Sequence, residues 1–135
     1  MKRVGLALGG GGAKGLAHIP LLEILDDFEI RPHGISCTSI GAIVGALYAS
    51  GYSGREIREQ VANLVISKGD TLKDIMNTKD FFKGFEFFDI NFHRGAILKG
   101  DAFIDYLSEL TKVERIEDLE IPLQIVATDF WTGEH

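Results

Sequence analysis

Twice near its start this chain passes from a short apolar segment, through a turn of small residues, into a helical stretch. The first junction runs from Val4-Gly5-Leu6-Ala7-Leu8 into Gly9-Gly10-Gly11-Gly12-Ala13-Lys14-Gly15. The second runs from Ile35-Ser36-Cys37-Thr38 through Ser39 into the unbroken small and apolar run Ile40 to Ala49. Strand–helix–strand–helix order restricts the fold to an α/β domain, with a parallel sheet, right-handed crossovers and helices packed on its faces. A nearly continuous apolar strand such as Val4 to Leu8 suits a sheet covered on both faces.

The remaining elements fit that plan. Leu16, Ile19, Leu21, Leu22, Ile24 and Leu25 form one apolar helix face, with Pro20 early enough to be tolerated. Ile30 to His33 is a return loop, and Gly34 to Thr38 the second strand. The helix after Ser39 is expected to run to about Ser50 and stop at Gly51. Ser53-Gly54-Arg55-Glu56 has the capping-box spacing and predicts a helix over about 54–67. Thr71 to Met76 suggests a short helical stretch, and Asp101 can cap a helix carrying Phe103, Ile104, Leu107 and Leu110. Pro122 opens a third strand, Leu123 to Thr128, ending at Asp129. Six phenylalanines between Phe81 and Phe92 have no clean period; they read as a core-covering flap or as an apolar channel or interfacial lip beside Ser39.

Composition narrows the function classes. With 135 residues the chain is one domain or part of one. Its 14 basic and 20 acidic residues give a charge of −6, without the basic footprint that nucleic acid requires. The same balance disfavours electrostatic binding to anionic membranes but leaves apolar insertion open. Cys37 is alone, so no internal disulfide can form, which suits a reducing compartment. Met1-Lys2-Arg3 resembles the front of a signal peptide, yet the apolar stretch behind it dissolves into glycines before reaching ~7–15 residues. No run approaches the ~18 apolar residues of a membrane span. The expectation is a cytoplasmic or peripheral membrane protein.

The glycine turn satisfies G-x-G-x-x-G at Gly10, Gly12 and Gly15. A dinucleotide fold also needs a carboxylate at the end of the second strand, where this chain has Cys37-Thr38-Ser39. A P-loop needs Gly-Lys-Ser/Thr, whereas Lys14 lies between Ala13 and Gly15. A plain tight turn needs fewer than four glycines. Bare, approachable backbone N–H groups suit an oxyanion hole better. Ser39 has two readings, a simple helix N-cap or a nucleophile on a strand–turn–helix elbow. Its position on the same sheet edge as the glycine turn favours the nucleophile. Gly41 supplies the small residue two positions on; Cys37 stands where the elbow pattern has glycine.

Together, Gly10 to His18 and Thr38 to Ala49 resemble the patatin-like phospholipases, and Pro122 to Glu134 is similar to a later segment of that domain. The likeness covers nearly the whole chain. It implies a three-layer α/β sandwich with a central, mostly parallel sheet and a lipid acyl hydrolase working through a Ser–Asp dyad, with neither metal nor cofactor. Ser39 would be the nucleophile, and Gly10, Gly11, Gly12 and the Ile40 N–H the oxyanion hole. Lys14 occupies the place of a basic residue in the family's glycine motif, which Gly15 completes. Partners would be lipid or ester substrates, with peripheral membrane contact; oligomeric state is not legible.

The family's aspartate lies in a D-G-[GA] motif, and this chain contains no Asp-Gly. The expectation is therefore that residues 1–135 are the N-terminal part of a single patatin-like domain whose aspartate follows later. Within the chain, Asp129 reads as structural, His18 as packed or loop-facing, and His33 as belonging to the opposite edge. A Ser–His mechanism is the runner-up. A catalytically inactive binding or regulatory module is the alternative from a different class, and a nucleotide-binding protein is third.

Overall fold

The computed structural model describes residues 3–66, 107–129 and 131–132. The expectations for Thr71 to Met76, for the phenylalanines between Phe81 and Phe92 and for residues 101–106 lie outside the described residues. Three strands, β1 (Gly5–Leu8), β2 (Gly34–Cys37) and β3 (Leu123–Ile125), pair in parallel in the order β1-β2-β3. Helices α1 (His18–Asp27), α2 (Ile40–Ala49) and α3 (Gly54–Ile66) join the strands, and residues 107–111 are also helical, in the stretch expected to carry Leu107 and Leu110. The parallel α/β arrangement is the one the alternation of segments implies.

Both crossovers step the same way along the sheet, so a common hand places their helices on one face. Leu6, Leu8, Ile35, Cys37 and Leu123 point to that face and join the core. Ala7, Ser36 and Gln124 point the other way and are more open. A second helical layer over them is not among the described residues. Leu22, Val44 and Ile57 are fully buried between the layers. Each such side chain contributes about 1.5–3 kcal/mol by leaving water.

Local chemistry sets the boundaries of these elements. The glycine-rich turn enters its first helix as a 3-10 segment, Gly12–Ala17, where a continuous α-helix from Leu16 was the expectation. Pro20 is the third residue of α1, where a missing N–H costs nothing because first-turn donors have no intrahelical acceptor. Helix α2 ends as expected at Gly51, whose φ of 104° is open to glycine. The Gly51 N–H donates to the Tyr48 carbonyl and the Tyr52 N–H to that of Leu47, a Schellman ending. The capping box at α3 is present in both directions. Glu56 accepts from the Ser53 N–H at 2.7 Å, and the Glu56 N–H donates to Ser53 Oγ at 3.3 Å. Asp26 adds a second cap by accepting from the Gly54 N–H at 2.7 Å and from the Tyr48 hydroxyl at 2.7 Å.

Candidate active site

The register pairs Leu8 with Cys37 and Cys37 with Ile125, so all three strands end level. Whatever follows them is therefore gathered at one carboxyl edge, where parallel α/β sheets place their ligands. From β1 comes the glycine turn, from β2 Thr38 and Ser39, and from β3 Val126 to Asp129. The edge is laced together beyond the strands. Thr38 N–H donates to the Leu8 carbonyl at 3.1 Å, Val126 N–H to that of Cys37 at 2.8 Å, and Thr38 Oγ1 to that of Val126 at 3.2 Å.

Ser39 has φ 52° and ψ −130°, a conformation that costs a non-glycine residue about 1–3 kcal/mol. Its hydroxyl makes no cap hydrogen bond to α2, and the side chain is exposed. The N-cap reading, in which an extended serine bonds its own helix, does not describe it. This is the sharp strand-to-helix elbow on which a side chain is pushed clear of the backbone.

Three close approaches lock the glycine turn against this elbow. A Cβ at Gly10 would lie 3.2 Å from Ser39 Cβ and 3.8 Å from its Oγ. One at Gly15 would overlap the branched side chain of Ile40 at 2.1 Å. One at Gly41 would lie 2.1 Å from the Leu8 carbonyl oxygen and 2.7 Å from that of Gly9. The two junctions are thus side by side, and the glycines of both motifs are what permits it. Among the described residues, the N–H groups of Gly10, Gly11, Gly12 and Ile40 donate no intramolecular hydrogen bond. Gly11 and Gly12 have φ of 129° and 56°, backbone that a side chain would strain.

The other residues singled out from sequence are placed as follows. Lys14 is exposed on the 3-10 segment, its N–H donating to the Gly11 carbonyl at 3.1 Å. Cys37 is buried beneath α2 and donates to the Gln124 carbonyl at 3.3 Å; burial raises its pKa, which makes it an inert thiol. Its sulfur faces α2 at Gly45, where a Cβ would lie 3.5 Å from Sγ. Asp129 accepts the N–H groups of Trp131 at 2.7 Å and Thr132 at 3.0 Å, and those bonds hold its pKa low. It ties a turn, as expected of a structural residue. His18 Nε2 lies 2.8 Å from the Gly9 carbonyl, a contact that nothing in the spacing signalled. His33 is in the return loop, its N–H donating to the Val4 carbonyl at 2.7 Å at the opposite edge. No hydrogen bond joins the Ser39 hydroxyl to a carboxylate or imidazole among the described residues.

A cleft of about 390 Å3 also lies at that far edge, lined by Leu25, Asp26, Arg31, Tyr48, Tyr52 and Ile121 among others. It contains no residue of either junction. Its Tyr48 is locked, because burial and the bond to Asp26 raise the phenol pKa well above its ordinary value. The residues of both junctions meet at the carboxyl edge instead, which makes that edge the better candidate. Among the described residues no cluster of three metal-ligating side chains is present, and no helix is long and apolar enough to cross a membrane.

A strained serine beside a bare glycine turn, at the carboxyl edge of a parallel sheet, defines a protein built around a serine elbow. The family model for patatin-like phospholipase matches residues 6–135, and the chain belongs to that family. Relatives include patatin-like phospholipase domain-containing protein 6 of Mus musculus, 29% identical over 126 residues, 93% of this chain and 8% of that protein. Protein 7 of the same series from Rattus norvegicus is 31% identical over 126 residues, again 93% of this chain and 8% of the relative. An uncharacterized NTE family protein of Mycobacterium bovis is 31% identical over 132 residues, 98% of this chain and 32% of its own length. The chain therefore spans only a fraction of the relatives it matches.

Proposed function

We propose that this chain carries the nucleophile and the oxyanion hole of a serine-dependent lipid acyl hydrolase. The observation that supports it best is Ser39, held at φ 52° against Gly10 with a hydroxyl that makes no hydrogen bond among the described residues. In this reading Ser39 Oγ attacks the ester carbonyl carbon of a lipid, and its proton passes to a general base. The carbonyl oxygen gains negative charge and is met by the N–H groups of Gly10, Gly11, Gly12 and Ile40. Such preorganised donors are worth several kcal/mol because they need no reorientation as charge develops; removing one typically costs ~10²–10³ in rate. The α2 N-terminus adds its positive end to the same point. Collapse of the tetrahedral species expels the alcohol and leaves an acyl-Ser39, which water then hydrolyses.

The base belongs to the rest of the domain. Asp129 is spent on two backbone N–H groups, and His18 on the Gly9 carbonyl. An aspartate outside this chain, completing a Ser–Asp dyad, fits the family. Lipid substrates and contact with a membrane surface follow from the same reading, since acyl esters of that class are presented there.

The test uses the full-length protein. A fluorophosphonate probe is expected to modify Ser39, and Ser39→Ala to abolish both labelling and turnover of a nitrophenyl ester. Labelling elsewhere, or turnover unchanged in Ser39→Ala, refutes the nucleophile assignment. A folded wild-type protein that resists the probe supports the alternative, a binding or regulatory module retaining the scaffold without the chemistry.

A further inference from the structure

We propose that His18 is a positioning residue for the oxyanion hole, an inference that rests on the hydrolase reading above. It acts through the peptide between Gly9 and Gly10. Nε2 of His18 lies 2.8 Å from the Gly9 carbonyl oxygen. A carbonyl only accepts, so Nε2 carries the proton and donates. The peptide unit is planar, with its C=O and the following N–H pointing in opposite directions. Pinning the Gly9 oxygen therefore also fixes the direction of the Gly10 N–H, the amide of the glycine that sits against Ser39.

The need for such a pin follows from the sequence. Four consecutive glycines have no side chains to pack and the widest backbone freedom of any tetrapeptide. Their N–H groups can serve as a preorganised oxyanion hole only if something outside the turn holds them. Gly41 bounds the Gly9 carbonyl from α2, through the absence of a side chain there. His18, the first residue of α1, holds it by a directed bond. The two helices behind the two junctions thus meet on one peptide.

His18 is also the nearest imidazole in sequence to the glycine turn, which makes a general-base role the obvious competitor. Its donating nitrogen is already engaged. A positioning bond needs only a donor at that reach, which a glutamine amide supplies; a base needs an imidazole, which glutamine cannot replace.

Three forms of the full-length protein separate these roles: wild type, His18→Gln and His18→Phe, assayed on a nitrophenyl ester and by fluorophosphonate labelling. Loosening a single oxyanion donor is expected to lower kcat of His18→Phe by about 10- to 100-fold, with KM within about twofold. His18→Gln is expected to recover most of that loss. A Gln variant as impaired as the Phe variant, or a Phe variant with wild-type kcat, overturns the proposal while leaving Ser39 as nucleophile. Wild-type protein that neither turns over ester nor labels overturns the hydrolase reading and this inference with it. Nitrogen NMR of the wild type guards against a Phe variant that fails to fold. A His18 that carries a proton on Nε2 is expected, and one protonated only at Nδ1 overturns the bond.

Discussion

Two glycines on one face of α2, Gly41 and Gly45, look equivalent in sequence and are predicted to respond oppositely to alanine. At Gly41 the new Cβ would lie 2.1 Å from the Leu8 carbonyl oxygen, 2.6 Å from its carbon and 2.7 Å from the Gly9 oxygen. All three are backbone atoms and cannot rotate away. Relief requires a shift of about 1 Å between the start of α2 and the end of β1, since a Cβ needs at least ~3 Å from a carbonyl oxygen. Helix α2 has nowhere to retreat, because Val44, Leu47 and Ala49 are buried behind it. The overpacking cost is about 3 kcal/mol, at the upper end for inserted methyls, and the better helix propensity of alanine returns at most ~1 kcal/mol.

At Gly45 the same Cβ would meet Ile35 Cγ2 at 3.4 Å, Cys37 Sγ at 3.5 Å and Leu123 Cδ1 at 3.5 Å, which is ordinary contact. Gly45→Ala should then be neutral or up to ~1 kcal/mol stabilising. The readout is denaturant unfolding of the full-length protein, followed with ester turnover. Gly41→Ala is expected to lower the midpoint and, because the shift separates the glycine turn from Ser39, to cut turnover by about 10²-fold or more. Gly45→Ala should retain both. A Gly41→Ala protein with wild-type midpoint and turnover would show that the close approach of α2 to β1 does not hold the site together.

Gly54 repeats the logic away from the edge. Its Cβ would lie 2.5 Å from the Glu23 backbone nitrogen, so Gly54→Ala should part α3 from α1 and destabilise more than Glu23→Gln, which weakens a two-bond pair with a half-exposed Arg58 but moves no backbone; equal midpoints would refute it. Ser53→Ala removes one half of the capping box and should cost about 1 kcal/mol, read in the same unfolding assay. Glu56 has its pKa lowered by bonds from the Ser53 N–H and hydroxyl. A carboxylate with a depressed folded pKa contributes stability above its unfolded pKa of 4.5 and loses it as pH falls through the folded value. The difference in stability between wild type and Glu56→Gln should therefore shrink on acidification below that value, and a difference that grew would refute the assignment.

Much of this arrangement was legible in the chain because it depends on local rules. An apolar run ended by glycine marked β1, the short segment before Ser39 marked β2, Gly51 marked the end of α2, and Ser53 with Glu56 marked the start of α3. Each is a contact between near neighbours in sequence. The resemblance carried the rest of the motif, including the family that the comparison confirms. What could not be read were bonds between distant residues with no spacing rule: Asp26 to Gly54, Tyr48 to Asp26, and His18 to Gly9 across the glycine turn. The 3-10 entry at Gly12–Ala17 was missed for a different reason. Helical periodicity says where a face lies but not how tightly the first turn is wound.

The site also explains why its two motifs need each other. A serine at φ 52° is a local cost, and a run of four glycines is another, because each loses more freedom on folding than any other residue. Neither would persist on an isolated hairpin. They are held because each junction supplies the space the other requires: Gly41 of the elbow makes room for the β1 carbonyls, and Gly15 of the turn makes room for Ile40. Restoring a side chain at either glycine acts on both loops at once. Ester turnover should accordingly track the fit between the two junctions, and the strain at Ser39 and the bareness of the glycine amides are a single structural property.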